Sequence, residues 1–427
     1  MTGSVTENDT DADAPQADRQ PSLWRNRDFN LLWSGQCLSD LGSAVSDLAL
    51  PLLVFGLTGS PSRAGLVGTA GLVVATVCRL PAGALADRFD RRRLMILCDA
   101  VRLVGYAALA WAVVAGRASL AVIMTVVAVS AAATAVFTTT EFAAVRSLVR
   151  PNQIVSAVAR NEARSYGTTL AGRPLGGLLF GLGTALPFLG DAVSYVLSLS
   201  AILCIRRPLQ QPRPELPATP AKTGRRGQGL RFVLSNPFLR SLIVVAIPLN
   251  TAFTGMIFAM TISLRRSGLS PVLIGVATMI IGAGGLLGAF SAPALQRRLP
   301  LPTLIRAICW STAALMAISV LLATGIAAAA PLALAIFLGP TANAALFGYQ
   351  AAVTPDHLQG RVVSVILLAA TSAAALAPAL AGFLLANIAG RPALLTFPLL
   401  VAVSAAVATF SGGIKSMARL PSDSDAG

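Results

Sequence analysis

The chain has 427 residues, of which 55% are hydrophobic and 12% charged, and it carries a formal net charge of +15. So apolar a composition excludes a string of ordinary soluble domains. A charge of that size would suggest nucleic acid in a soluble protein, but here its placement along the chain assigns it another role, and no nucleic-acid partner is expected.

Residues 1–22 are acidic and polar, with no basic segment leading into a short apolar core, so no cleavable signal peptide is evident and a disordered cytoplasmic tail is expected. From there, apolar stretches of the length a bilayer demands recur to the end of the chain. They fall near residues 31–57, 65–85, 94–115, 119–140, 155–183, 187–205, 241–264, 272–292, 304–325, 328–350, 362–386 and 393–412. The fold class expected is an all-α polytopic membrane protein with twelve transmembrane helices in two six-helix halves. Cys37, Cys78, Cys98, Cys204 and Cys309 all lie within these stretches without metal-ligand spacing, and read as buried free thiols.

Residues 206–236 divide the chain. They contain five prolines and a basic cluster over residues 222–226, which reads as a cytoplasmic linker, with an amphipathic surface helix expected over residues 229–239. The domains expected are an N-terminal bundle at 23–205, the linker at 206–236, a C-terminal bundle at 237–413 and a second cytoplasmic tail at 414–427. An internal repeat agrees with this division: Pro151-Asn152 followed by Pro174 returns as Pro355-Asp356 followed by Pro378, and Ala82-Gly-Ala-Leu85 returns as Ala292-Pro-Ala-Leu295. Parallel repeats of this kind build transporters around an axis along the membrane normal.

With the N-terminus placed inside, the inner segments hold twenty-two Lys and Arg residues. The outer loops hold five, namely Arg63, Arg117, Arg265, Arg266 and Arg391. This positive-inside bias places both termini in the cytoplasm and the protein in the cell (inner or plasma) membrane.

The most specific local pattern lies between the second and third stretches: Gly83-Ala-Leu-Ala-Asp87-Arg88-Phe-Asp90-Arg91-Arg92-Arg93. This Gly-x-x-x-Asp-Arg-x-x-Arg-Arg pattern resembles the loop between helices two and three of the major facilitator superfamily of transporters. Leu23-Trp-Arg-Asn-Arg-Asp-Phe-Asn-Leu-Leu-Trp33, Leu57-Thr-Gly-Ser-Pro61, Val149-Arg-Pro-Asn152 and Gly360-Arg-Val-Val-Ser364 resemble its drug:proton antiporter branch, which includes macrolide and enterobactin exporters. The resemblance covers nearly all of residues 23–412. It implies a gating role for Gly83, Asp87, Arg88, Asp90, Arg91 and Arg92, with Asp87 in a charge network that holds one access state closed. Asp90 stands where many relatives have glycine. Arg93, like Arg92, also serves simply to fix orientation.

An ionisable side chain at membrane depth costs ~2.5–3.5 kcal/mol, so it marks a partner, a water-filled cavity or a function. Gln36, Asp40, Ser43 and Asp47 share one stripe of the first span. In the resembled family the first, fourth, seventh and tenth helices line the central cavity. A carboxyl group there is suited to alternate between a proton and a cargo molecule, and Asp47, the deeper, is favoured over Asp40. Structural pairing of either residue is the competing reading.

In the fifth span, Ala171-Gly-Arg-Pro-Leu-Gly-Gly177 stands where antiporters of the superfamily often carry Gly-Pro-x-x-Gly-Gly, with Arg173 in place of the proline. At ~1.5 Å per residue, Arg173 and Asp47 reach a similar depth of about 20 Å. The expectation is either that they pair or that Arg173 binds an anionic group of the substrate. Thr134 and Glu141 with Ser130 on the fourth span, Asn250 and Thr254 with Thr261 on the seventh, and Asn343 and Gln350 on the tenth complete the candidate cavity wall. Gly172-x-x-x-Gly176 and Gly284-x-x-x-Gly288 offer close-packing faces, either for ordinary packing or for the contact along which the halves rock. Asp99 and Arg102 are expected to pair locally near the inner surface. His357, the only histidine, is assigned a surface role.

No Gly-x-x-x-x-Gly-Lys-Ser/Thr loop occurs in the sequence, which argues against ATP-driven pumping. Nothing in it suggests an enzyme, a metal site or a cofactor. The reading is a secondary active transporter that exports a small organic molecule (a drug, siderophore or natural product) by alternating access, in exchange for protons. An importer or facilitator of the same fold, or a membrane receptor or scaffold that transports nothing, is the alternative.

Overall fold

In a lipid core, each backbone amide must find its partner within its own segment, so apolar runs of this length close into helices. A computed structural model describes residues 23–210, 228–297, 299–388, 390–415 and 417. All of the regular structure among them is helical. Six long helices come first: α1 (Arg27–Thr58), α2 (Pro61–Arg88), α3 (Arg91–Val114), α4 (Leu120–Leu148), α5 (Ile154–Leu182) and α6 (Leu186–Cys204). A short helix, α7 (Gln228–Ser235), precedes α8 (Pro237–Arg266), α9 (Pro271–Gln296), α10 (Leu301–Leu321) and α11 (Ala329–Val353). The chain ends with α12 (Gln359–Ala375), α13 (Ala377–Asn387), α14 (Arg391–Phe410) and the single turn α15 (Gly412–Lys415).

Helix boundaries follow local chemistry. The side chains of Asn26, Ser60, Asp90, Ser119, Asn236 and Ser270 accept first-turn amide hydrogens, the usual N-cap arrangement. Pro61, Pro237 and Pro271 sit at first-turn positions where no amide hydrogen is needed. α1 ends at Gly59, whose φ of 63° is a left-handed conformation that side chains disfavour.

Eleven segments are long and apolar enough to cross a membrane, with α12 and α13 counted as one. The twelfth span is α5, which has the length (29 residues) but carries Arg160, Glu162, Arg164 and Arg173. The eleventh span is broken at Leu376, because Pro378 has no amide hydrogen to continue the helical ladder. The ninth expected stretch, 304–325, also ends early: α10 stops at Leu321, where Leu322 and Ala323 turn into a short 3-10 segment at Ile326–Ala328. The expected tails at 1–22 and 418–427, residues 211–227 of the expected linker, Arg298 and the His357 side chain lie outside the described residues.

Within the N-terminal half α1 packs on α5 and α6, α2 on α4, and α3 on α4 and α6; in the C-terminal half α9 packs on α11, and α14 on α8 and α10. Small residues allow these helices to approach closely. A Cβ on Gly172 or Gly176 would strike the α1 backbone at Leu41, Ala44 or Val45, and one on Gly284 or Gly288 would strike α11 at Ala333 or Phe337. These glycines therefore pack helices inside each half, which is the ordinary-packing alternative and not the rocking contact. The cysteines do need a correction: all five are free, but only Cys98 and Cys309 are buried, and Cys204 is exposed at the end of α6.

The two halves touch through α2 with α13, α5 with α9, and more lightly α2 with α12 and α1 with α8. On α2 the meeting residues are Pro61 and Gly65, against Pro378 and Gly382; on α9 they are Pro271 and Gly275, against Arg173, Pro174 and Gly177. The spacing of 210 residues between Ala82 and Ala292 also relates Pro61 to Pro271 and Gly65 to Gly275, so the seam is built twice from one design. The Ala379 amide donates to Thr69 Oγ1 (2.9 Å), and Arg266 donates to the Leu385 carbonyl (2.7 Å) while lying over the Phe55 ring. All these residues lie at the ends of the helices away from the arginine-bearing α2–α3 and α4–α5 connections.

Candidate functional site

Between the halves, just beneath this seam, lies a cavity of about 470 Å3, a size suited to a small organic molecule. Its walls are largely apolar, from α2, α4 and α8, with a few polar groups converging on it. Asp47 and Ser43 enter from α1, Ser130 and Thr134 from α4, Arg173 from α5, and Thr254 and Thr261 from α8. Tyr106, Tyr195 and Thr278 complete its polar lining.

The Asp47 side chain is exposed to the cavity although its helix is enclosed by protein. Arg173 is the basic group that acts on it electrostatically, and Asp47 in turn acts on Arg173. No direct ion pair joins them among the described residues. The two therefore share one chamber with their charges separated. Such a chamber can hold a cation beside Asp47 and an anionic or electron-rich group beside Arg173, with hydroxyls between them to orient a ligand.

Asp40 is placed differently. Arg164 of α5 reaches across to it, Nε to Oδ2 at 2.9 Å, and also binds Glu141 of α4, Nη1 to Oε1 at 2.8 Å. Arg164 and Glu141 are buried and Asp40 is half-buried. The contact to Asp40 is a charge contact without an aligned hydrogen bond, whereas that to Glu141 is a hydrogen-bonded pair. Two of the candidate acids are thus bound by one arginine that the sequence reading passed over. Its signal was available: a third arginine in an otherwise apolar span, nine residues before Arg173.

The remaining candidates separate by environment. Gln36 is buried against α6, where it donates to Ser198 Oγ (2.9 Å). Ser43 lines the cavity and shares a 3.0 Å hydrogen bond with the Tyr195 hydroxyl. Asn250 is exposed and turns back to the Ala246 carbonyl, and Asn343 is exposed on α11 outside the cavity lining. Gln350 is buried and bonds to Thr354 and Gln359, fastening the α11–α12 connection. A helical stripe locates a face, but only its neighbours decide whether that face meets water or another helix.

In the basic connection, Asp90 caps α3 through the Arg93 amide (2.8 Å). Arg91 donates to the Ala143 carbonyl, Ser147 Oγ and the Leu209 carbonyl at 3.1–3.2 Å, and Arg92 donates to the Leu203 carbonyl. Asp87 and Arg88 are exposed at the end of α2, where Asp87 also has an interaction partner. A Cβ on Gly83 would meet nothing within 4 Å.

Behind the cavity wall is a buried cluster, part of it unforeseen. Asp99 and Arg102 form the expected ion pair, buried in the core of the N-terminal half; Asp99 is 0% and Arg102 3% exposed. The guanidinium is sandwiched between the Phe137 and Tyr195 rings, 4.7 and 4.5 Å from their centroids. Asp191 of α6, also 0% exposed, shares this core. It follows the same rule that singled out Asp47, a carboxyl group in an apolar span.

The family model described as "Major Facilitator Superfamily" matches residues 32–378. "Multidrug efflux pump Tap" of Mycobacterium tuberculosis (strain ATCC 25618 / H37Rv) is 28% identical over 367 residues, covering 80% of this chain and 83% of the relative. The Mycolicibacterium fortuitum protein described in the same words is 27% identical over 357 residues, covering 80% and 85%. Among solved structures, a bacterial homolog of the human lysosomal transporter Spinster, in an inward-facing and occupied conformation, superposes with a TM-score of 0.71 at 15% identity, covering 92% of this chain and 97% of that one. A bacterial homologue of the iron transporter ferroportin, in an inward-facing state, gives 0.65 at 17% identity, covering 92% and 98%. Helical architecture, membrane-length spans, a cavity between halves and a family match over most of its length agree: this chain is a multi-pass membrane transporter, not an enzyme, and belongs to the Major Facilitator Superfamily.

Proposed function

We propose that the protein exports a small organic molecule across the cell membrane by alternating access, in exchange for protons. The observation that carries this reading is the charge arrangement in the cavity: Asp47 and Arg173 face one apolar-walled chamber without pairing directly. A carboxyl group free of a fixed partner can exchange a proton for a ligand, whereas one bound as Asp40 is bound to Arg164 serves structure. The efflux relatives support the direction, and the arginine distribution supports cytoplasmic termini. In that orientation the seam at Gly65 and Gly177 closes the outer end, so this is an inward-facing state. Each proton entering down 100 mV supplies ~2.3 kcal/mol for export.

In the gating reading, the exposed Asp87 and Arg88 at the end of α2 do their work in the alternate state, in which the inner ends approach. The test uses ethidium as probe in cells lacking their own pumps. Expression should lower the accumulated dye, and a protonophore should restore it. Dye loss that persists with the protonophore would mean a driving force other than the proton gradient and remove proton exchange; unchanged accumulation across a broad drug and dye panel would remove the exporter reading.

A further inference from the structure

We propose that Asp191 is a second proton-binding site, held in the wall of the N-terminal half and reached from the cavity through the Ser43 and Tyr195 hydroxyls. The inference rests on the proton-exchange reading above and adds a site to it. Its basis is a count of charges in a closed space. Arg102 brings one positive charge to a core that holds two carboxyl groups, Asp99 and Asp191, both fully buried. Asp99 has first claim, because it forms the direct ion pair and also accepts from Ser198 Oγ at 2.6 Å.

Asp191 is left with less. Ser194 approaches Oδ1 at 3.4 Å, and the Ser46 and Tyr195 hydroxyls approach the carboxyl, but Oδ2 has no aligned partner. The groups that face it are Ser46 and Asp47 from α1, Arg102 and Tyr106 from α3, and Tyr195 from its own helix; Asp99 is linked to it only through the shared Arg102, and Arg173 of α5 stands across the cavity beside Asp47. A second buried anion beside one shared guanidinium lacks the full compensation a buried charge needs. A neutral, protonated Asp191 removes that deficit.

The outer leg of the route is a hydrogen bond, and the inner leg is the approach of the Tyr195 hydroxyl to the Asp191 carboxyl. The Tyr195 hydroxyl lies 3.0 Å from Ser43 Oγ, and both residues line the cavity. In the transfer, Tyr195 gives its hydroxyl proton to Asp191 and takes the Ser43 proton, and Ser43 takes one from protonated water in the cavity. Each hydroxyl ends with the proton count it began with, and one positive charge moves from the chamber to the carboxyl. Because Tyr195 also forms one wall of the Arg102 sandwich, the charge on Asp191 and the packing of α3 on α6 are tied to one another. Discharge of Asp191 would then be felt at the Asp47 end of the same cavity wall.

The test uses the full-length protein in liposomes and needs no ligand. Infrared difference spectra between acid and alkaline buffer should show the carbonyl stretch of a protonated carboxyl that disappears in D191N and persists in D47N. Proton uptake after a pH jump, read with pyranine, should slow by at least about tenfold in Y195F, as removal of a positioned transfer group does. Phe keeps the ring that stacks on Arg102, so Y195F decides the matter if D191N does not fold. A D191N spectrum that keeps every carboxyl band, or wild-type uptake rates in Y195F, would overturn the proposal. Protonophore-insensitive ethidium export together with the expected D191N spectrum would instead defeat proton exchange while upholding the site.

Discussion

Gly177 of α5 meets Pro271 of α9 backbone to backbone across the two halves, and a Cβ at Gly177 would also come within 3.2 Å of Gly275 Cα. Gly65 of α2 meets Pro378 in the same way at the other side of the seam. Backbone cannot move aside as a flexible side chain can, so closure at this end depends on the absence of a side chain at both positions.

Substituting Leu at either glycine should therefore disfavour the closed seam. Overpacking costs typically ~1–3 kcal/mol, enough to shift the ratio of open to closed seam by roughly five- to 150-fold. Spin labels at Thr184 and Ser267 should report a longer distance in G65L and G177L than in the parent. An unchanged distance distribution would show that this contact does not govern closure.

The Arg164 node should rank its own substitutions. Removing a buried arginine leaves Glu141 and Asp40 facing each other uncompensated, and breaking a buried pair costs about 3–5 kcal/mol. Asp40 is the more exposed partner, at 36% for its side chain against 9% for Glu141, so D40N should cost only about 1 kcal/mol. Thermal unfolding in detergent should give R164M the lowest Tm, then E141Q, then D40N. A D40N variant as unstable as R164M would contradict the ranking.

The fold was legible because membrane helices announce themselves by length and apolarity, and Ser, Asn, Asp and Pro at the starts mark where each begins. Even α5, the most charged span, reads correctly, since its charges sit among apolar residues and small glycines. The site was legible where one residue type sufficed: Asp47 and Arg173 do face one cavity. It failed where a partner from another helix decided the matter. Gln36 turns to Ser198, Glu141 to Arg164 and Gln350 to Gln359, and no periodicity within one helix predicts which neighbour lies opposite. Arg164 and Asp191 were overlooked for a simpler reason: the rule about charges at membrane depth applies equally to the fifth and sixth spans.

The arginines of the α2–α3 connection should not behave alike. Arg91 satisfies three acceptors on α4 and beyond α6, and charge-assisted hydrogen bonds are the strong ones. R91A should lower stability by ~2–3 kcal/mol, seen as a lower Tm. Arg88 is exposed, so R88A should leave Tm unchanged, and any loss of ethidium export in R88A then belongs to gating. Equal Tm losses in both variants would argue against that division.

The cavity charges call for an exchange experiment, because they act on each other without touching. Neutralising Asp47 removes the group on which a proton or a cationic ligand would settle, and leaves Arg173 alone in a chamber of low polarity. Neutralising Arg173 leaves Asp47 in the same position. Each single variant, D47N or R173Q, should lower ethidium export by roughly tenfold or more, given a mutual attraction of at least ~1–2 kcal/mol at this depth. Exchanging the two, D47R with R173D, restores one charge of each sign to the chamber and should recover part of that loss. Export in the double variant no better than in either single one would mean that the two positions work separately, each through its own ligand contact.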